Sequence, residues 1–459
     1  MKRIILVMIA LSLLAPLWAQ DGGGDKGFSA GLNLGTDLLP NPDTGVMESW
    51  SKLGFRPDLA LGKFGVGLDL TLRFQLYPDP NDNTKIIRIY EPDWLPAAGS
   101  TITDILDLYL PKILYVRYGL KDIDPIYVKL GSISDFSLGN GLVVSDYSNT
   151  RFLPDRRIFG LQLGVDGAAF KVPYIGMEVL TGNLSKFDVI GGRVYLRPLA
   201  FLGSSLFGRL QVGATAVLDQ DPLLYFDNSS NTYAASSPVY VLGADLTLPI
   251  ISGKLLSLVS YVEGAREMND AMGAIGGIRG KLLGFIRYGA EARYMQEGFI
   301  PAYFDTNYDL YRAERFDYIE NTAPGDFGMG WLAKVGFDLF QEKVLFTAAV
   351  DGPLAPIPSV ASDNAAAYPH LKGSFILKED LIGGISFSGV YEKYFIGRAN
   401  SNIFTDLIDP TDAVIGMDVN YKTGATLLTL HYTYKWDPSK NSGAGGFDVS
   451  SSLSVSVQF

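Results

Sequence analysis

Phe447-Asp448-Val449-Ser450-Ser451-Ser452-Leu453-Ser454-Val455-Ser456-Val457-Gln458-Phe459 is the stretch whose reading decides the fold. Phe447, Val449, Ser451, Leu453, Val455, Val457 and Phe459 share one face, apolar everywhere except Ser451. Asp448, Ser450, Ser452, Ser454, Ser456 and Gln458 share the other, and all are polar. A period of two is the signature of a strand whose faces meet different surroundings. Chain ends of soluble domains usually fray. A barrel closed in a membrane has the opposite requirement, because its last strand must pair with its first.

The other end of the sequence agrees. Lys2 and Arg3 precede an apolar stretch from Ile4 to Leu14, and Leu17-Trp18-Ala19 supplies a small residue before Gln20. This reads as a secretory signal peptide over residues 1–19, too short to span as a helix, with residues 20–459 as one mature domain. No later segment holds the ~18 or more continuous apolar residues of a transmembrane helix. An exported chain of this kind either stays soluble or crosses an outer membrane as strands, and the terminal alternation favours strands.

Composition fits that choice. The 459 residues show no linker or composition break, and 51 Gly, 26 Phe, 25 Tyr and 5 Trp suit twisted strands, tight turns and interfacial aromatic girdles. A net charge of −11 argues against nucleic-acid binding. With 0 Cys there is no disulfide, thiolate metal site or thiol nucleophile.

Alternation recurs along the chain. Leu68, Leu70, Leu72, Phe74 and Leu76 oppose Asp69, Thr71, Arg73 and Gln75. Ile286, Tyr288, Ala290, Ala292 and Tyr294 oppose Arg287, Gly289, Glu291 and Arg293. Thr426, Leu428, Leu430, Tyr432, Tyr434 and Trp436 oppose Ala425, Leu427, Thr429, His431, Thr433 and Lys435. Further strands are expected near 28–35, 105–118, 126–131, 158–170, 174–180, 187–197, 206–219, 239–248, 255–265, 272–281, 331–339, 343–350, 370–378, 381–394 and 413–421. Short turns such as Lys422-Thr423-Gly424 alternate with long gaps at 77–103, 135–157, 220–237, 297–326, 351–369 and 397–411. The expected fold is all-β: a transmembrane antiparallel up-and-down barrel of about 14–20 strands, eighteen as the central estimate.

On these features the chain resembles the bacterial outer-membrane β-barrel class, with porins nearest in general appearance. The resemblance implies an outer-membrane location, lipids as surroundings, and small solutes as cargo. It also implies that the aromatic Phe459 serves as the signal read by the barrel-assembly machinery, and it leaves room for a homo-oligomer.

If apolar faces meet lipid, charges on the strands face a lumen, since an Arg or Lys facing lipid near the midplane costs roughly 2–4 kcal/mol. The pore-lining candidates are Arg73, Arg117, Arg193, Arg209, Arg287, Glu291, Arg293, Lys334 and Asp338. They serve equally as the walls of a selective water-filled pore or as salt bridges filling a plugged barrel. The segment Asp135–Arg157, DFSLGNGLVVSDYSNTRFLPDRR, is too apolar at Leu142-Val143-Val144 for an ordinary wet loop. It is a candidate to fold inward and narrow the pore, bringing Asp146, Tyr147, Asn149, Arg151, Asp155, Arg156 and Arg157 to the lumen; the alternative is an external hairpin.

Catalytic signals are weak. His370 and His431 are the only histidines, and no HExxH or GxxxxGK[ST] occurs. The Gly273–Gly280 run GAIGGIRG lacks a following helix and reads as a close-packed strand. Asp219 and Asp221 are acidic loop residues rather than a convincing cation site. No catalytic residue, metal or cofactor is expected. The leading reading is passive diffusion of small hydrophilic solutes. The rivals are a transporter of hydrophobic compounds, a non-conducting adhesin or structural barrel, and an outer-membrane lipase.

Overall fold

In the computed structural model, the described residues are 26–458 apart from 43, 77–86, 122, 153–155, 204, 227–236, 341–342, 359–366, 399–401, 424–425 and 438–444. The expected signal peptide and the terminal Phe459 lie outside them. One antiparallel sheet of 22 strand segments dominates the chain. Its ends meet: Lys26–Pro40 pairs with Gly446–Gln458 in the register Gly31↔Gln458 to Leu34↔Val455. The terminal strand therefore has a neighbour on each side, and among the described residues the sheet is a ring with no edge strand.

Two of the strands are broken. Phe64–Leu68 and Leu70–Leu76 are halves of one strand interrupted at Asp69, both paired with Met47–Leu61. Their next neighbour is split likewise, into Ile87–Ile89 and Ile113–Tyr118. Counting each broken strand once, the 22 segments make twenty strands among the described residues, at the upper end of the range read from the sequence. The strand not anticipated is Met47–Leu61, where Trp50 on the inner face and Pro57 in mid-strand hide the alternation.

Connections such as 61–64, 282–286, 382–385 and 423–426 are tight at one rim, while 76–113, 131–160, 296–327 and 353–370 are long at the other. Along Val239–Ser252 burial alternates, with Val239, Val241, Asp245 and Thr247 buried and Tyr240, Leu242 and Leu246 exposed. Val194, Val262, Leu430 and Leu453 continue this exposed apolar band around the ring. An edge-free ring with apolar side chains outward and charges inward is stable only where lipid surrounds it. The protein is a transmembrane β-barrel.

The long loops differ most from expectation. Residues 105–109, expected as strand, belong to a helix, Ile102–Tyr109. Its apolar positions Ile102, Ile105, Leu106 and Tyr109 follow a helical spacing, Thr101 and Asp104 form a capping box, and Pro111 stops it. The gap at 297–326 holds a second helix, Tyr308–Asn321, and the gap at 397–411 a third, Ile403–Ile408.

Candidate functional site

Two long connections fold into the ring and build a core there. Phe136–Leu138, Val144–Tyr147 and Phe304–Asp305 form a small separate sheet. Leu138, Leu142, Val143, Val144, Tyr303, Phe304, Tyr308 and Phe316 pack in one buried cluster with Leu180, Val189, Val217, Val241 and Tyr261 of the wall. The apolar run that set Asp135–Arg157 apart is thus the heart of an internal plug. Close approach decides the fit: a Cβ on Gly243 would lie 2.9 Å from the side chain of Val143.

The wall holds the plug through polar groups aimed inward. Glu263 accepts from the backbone N–H of Asn140 at 2.6 Å, and Glu267 from that of Ile300 at 3.0 Å. Glu392 accepts from Asn307 at 2.7 Å, and Lys372 donates to Thr306 at 2.8 Å. The strongest seat is Arg312 on the plug helix. It donates to Asp188 at 2.9 Å, to Asp219 at 2.6 Å and to the Asp221 carbonyl at 3.0 Å, and all three charged side chains are buried. Tyr308 donates to Asp219 at 2.5 Å and Tyr147 to Asp309 at 3.2 Å. Burial pushes the Asp309 carboxyl up to about 8; Arg312 opposes the shift and Asp188 adds to it. Asp219, weighed above as an acidic loop residue, is thus an anchor of the plug.

Most of the proposed lumen charges do face inward, and most are paired. Arg193 grips Asp245 through Nε and Nη2 at 2.8 and 2.7 Å and reaches Glu178 at 3.1 Å. Gly213 makes room for that pair, since a Cβ there would lie 2.1 Å from Asp245 Oδ2. Arg293 links Glu291 at 3.1 Å to Asp351 at 2.9 Å, and Arg287 meets Asp338. Lys334 is exposed on the same face as Arg287 and Glu291 by register. Arg117 lies beside Gly65, with a buried Nε that makes no hydrogen bond. Arg209 is displaced from its expected place. It sits on the 3₁₀ turn Phe207–Arg209 at the short-turn rim, bonded to Ser252, because the strand starts only at Gln211.

The constriction candidates divide. Tyr147 and Asn149 are structural, Asn149 bonding the backbone of Ile133 and Gly182. Asp146 takes a positive φ of 52° and accepts from Ser137. Arg151 donates to the Thr306 carbonyl. Arg156 and Arg157 reach open space, and Asp155 lies outside the described residues.

That open space is a cavity of about 720 Å³ whose lining includes Tyr225, the ring beneath Arg312. Strands Met47–Leu61 and Leu70–Leu76 contribute Lys52, Arg56, Thr71 and Arg73 to it. The inward excursion after Ile89 contributes Asp93, Asp107 and Lys112, the plug Arg156 and Arg157, and the outer loop Lys186. Arg73, Arg156 and Arg157 were anticipated. Lys52, Arg56, Lys112 and Lys186 were not.

No protein-family model matches the chain, and no curated protein matches it. Several solved structures resemble it loosely. Wzi, an outer-membrane protein involved in group 1 capsule assembly in Escherichia coli and a carbohydrate-binding β-barrel, is 12% identical; the match covers 100% of this chain and 88% of Wzi, with a TM-score of 0.32. OccAB3 of Acinetobacter baumannii is 12% identical over 94% of this chain and 98% of its own, with a TM-score of 0.29. The FrpB iron transporter of Neisseria meningitidis is 10% identical over 98% of this chain and 83% of its own, with a TM-score of 0.36. Superpositions this loose leave the fold resting on the strand pairing itself, which closes Lys26–Pro40 on Gly446–Gln458 and makes the chain a β-barrel.

Proposed function

We propose that the protein is a channel for passive, charge-biased diffusion of small hydrophilic solutes across the outer membrane. The observation that carries this reading is the charged cavity left beside the plug. The space left between the strands, the two plug segments and the excursion after Ile89 is lined by Lys, Arg and Asp. A conduit for hydrophobic compounds would need an apolar lining, and this one is polar.

No reaction is part of the proposal. His431 does stand between Asp418 at 2.6 Å and Thr433 at 3.1 Å. These three groups sit on strands Ala413–Thr423 and Thr426–Asp437, whose backbone is committed to ladder pairing with its neighbours. An oxyanion needs free, convergent donors, and such a ladder offers none. The chain Asp418–His431–Thr433 is better read as a polar ladder lining the wall.

The test is conductance of the refolded barrel in a planar bilayer. Stepwise openings that grow with salt concentration support the channel. A barrel that inserts, shows heat-modifiable gel mobility and never opens favours the non-conducting structural reading, for which the packed plug is the supporting feature.

A further inference from the structure

The cavity beside the plug reverses the sign of the molecule. The chain carries a net charge of −11. The cavity is lined by Lys52, Arg56, Arg73, Lys112, Arg156, Arg157 and Lys186 against Asp69, Asp93 and Asp107. Asp37 and Asp104 pair with Lys52, Arg73 and Lys186 from behind the lining, and the cations still outnumber the carboxylates.

The pairing is also stretched thin. Asp69 serves two guanidiniums, Arg56 at 3.1 Å and Arg157 at 2.8 Å. Asp37 is shared by Lys52 and Arg73. The Lys112 ammonium donates to the carbonyls of Asp93 and Leu108, at 2.7 and 2.9 Å. Arg157 Nη1 is buried and makes no hydrogen bond. Burial depresses the Arg157 guanidinium below its ordinary range, and Arg56 beside it adds to the effect. Burial likewise lowers Lys112, with Arg73 adding. A group held in this way gains most from an incoming negative charge. Paired guanidiniums offer the forked donors that fit a carboxylate or phosphate, and low-dielectric walls focus their field.

We propose that this cavity is a binding subsite for small hydrophilic anions bearing a carboxylate or phosphate group, with Arg56, Arg157, Arg73 and Lys112 as its recognising groups. The volume of about 720 Å³ leaves room for a hydrated solute of monosaccharide size. The subsite deepens the channel reading by naming the solute class, but its binding step is separable from conduction.

The test therefore has two arms. Calorimetric titration of the detergent-refolded barrel with gluconate and, separately, inorganic phosphate measures binding whether or not the barrel conducts. Bilayer reversal potential under a potassium chloride gradient measures charge preference. The proposal expects saturable binding of at least one anion and preference for chloride over potassium. The double substitution Arg56→Gln/Arg157→Gln weakens binding about tenfold or more and shifts the reversal potential toward potassium. Arg56→Lys/Arg157→Lys, which keeps the charge, retains the chloride preference. Binding of gluconate alone assigns carboxylates, and of phosphate alone assigns phosphates. Binding in a barrel that never conducts removes the channel and keeps the subsite. No binding of either anion by the folded wild-type protein, or equal binding by the Gln variant, overturns the proposal. Heat-modifiable mobility verifies that each variant is folded.

Discussion

Arg312→Met tests how the plug is held. Arg312 is 2% exposed, and its guanidinium lies between Asp188 and Asp219 while donating to the Asp221 carbonyl. Methionine fills much of the same volume but removes the charge, leaving two carboxylates buried at the seat and Tyr308 bonded to one of them. Breaking a buried ion pair from one side costs about 3–5 kcal/mol, chiefly because the remaining charge stays desolvated. The ring pairs strand to strand without Arg312, so the penalty falls on the seating of the plug rather than on the barrel. A shift of that size alters the seated-to-released ratio by roughly 10²–10⁴. The remaining anchors, among them Glu267 to Ile300 and Glu392 to Asn307, limit how far the segment swings. The expected result is larger and more frequent openings in planar bilayers, with faster protease cleavage near the Tyr308–Asn321 helix and unchanged heat-modifiable mobility. Arg312→Met/Asp219→Asn should recover part of the loss, because it removes one stranded charge and keeps an acceptor for Tyr308. If Arg312→Met conducts and resists protease like the wild type, the buried cluster does not hold the plug and the reasoning fails.

Two further predictions follow from the same interior. The raised pKa of Asp309, about 8, makes its protonated form the seated one, consistent with an Oδ2 that is buried and makes no hydrogen bond. Its contribution to seating is therefore full in acid and is lost as pH climbs from the ordinary carboxylate range through about 8. Tyr147, Asp188, Asp219, Tyr225 and Arg312 surround it, and Asp188 is itself shifted upward by burial, so Asp309→Asn should flatten much but not all of the rise in open probability with pH; an unchanged profile would clear Asp309 of the role. Gly213→Ala drives a methyl into the Arg193–Asp245 pair and should cost about 1–3 kcal/mol, read as an earlier loss of the compact gel band on heating; an unaltered transition would mean that the wall yields at that point.

What the sequence disclosed, and what it hid, has a physical pattern. Strands such as Thr426–Asp437 and Gly446–Gln458 were legible because lipid and lumen impose opposite chemistry on alternate residues. Met47–Leu61 was not, because Ser49, Ser51 and Pro57 break up its outward apolar face and the fully buried Trp50 interrupts the charges of the inward one. Residues 105–109 resembled strand because a short amphipathic helix and a strand share apolar positions over so few residues. The inward folding of Asp135–Arg157 was visible in Leu142-Val143-Val144, which a wet loop would not carry. Its partner, Tyr308–Asn321, gave no such signal: its buried face includes Asp309 and Arg312, and their pairing with Asp188 and Asp219 spans distances along the chain that no local pattern records. The cavity was half legible for the same reason. Arg73 alternates cleanly on its strand, whereas Lys112 and Lys186 come from excursions whose course only the fold sets.

The central claim is that Gly446–Gln458 closes the ring on the first strand. The chain contains 0 Cys, so a pair of introduced thiols reports without background. Leu32 and Val457 are register partners across the closure. In Leu32→Cys/Val457→Cys the account predicts a disulfide on mild oxidation in the membrane, read as a reduction-sensitive gel shift, and no such shift in Leu32→Cys/Leu453→Cys, whose partners lie four residues out of register. Failure of the first pair to cross-link in protein that is inserted and heat-modifiable would contradict the closed barrel on which the channel, the plug and the cavity all depend.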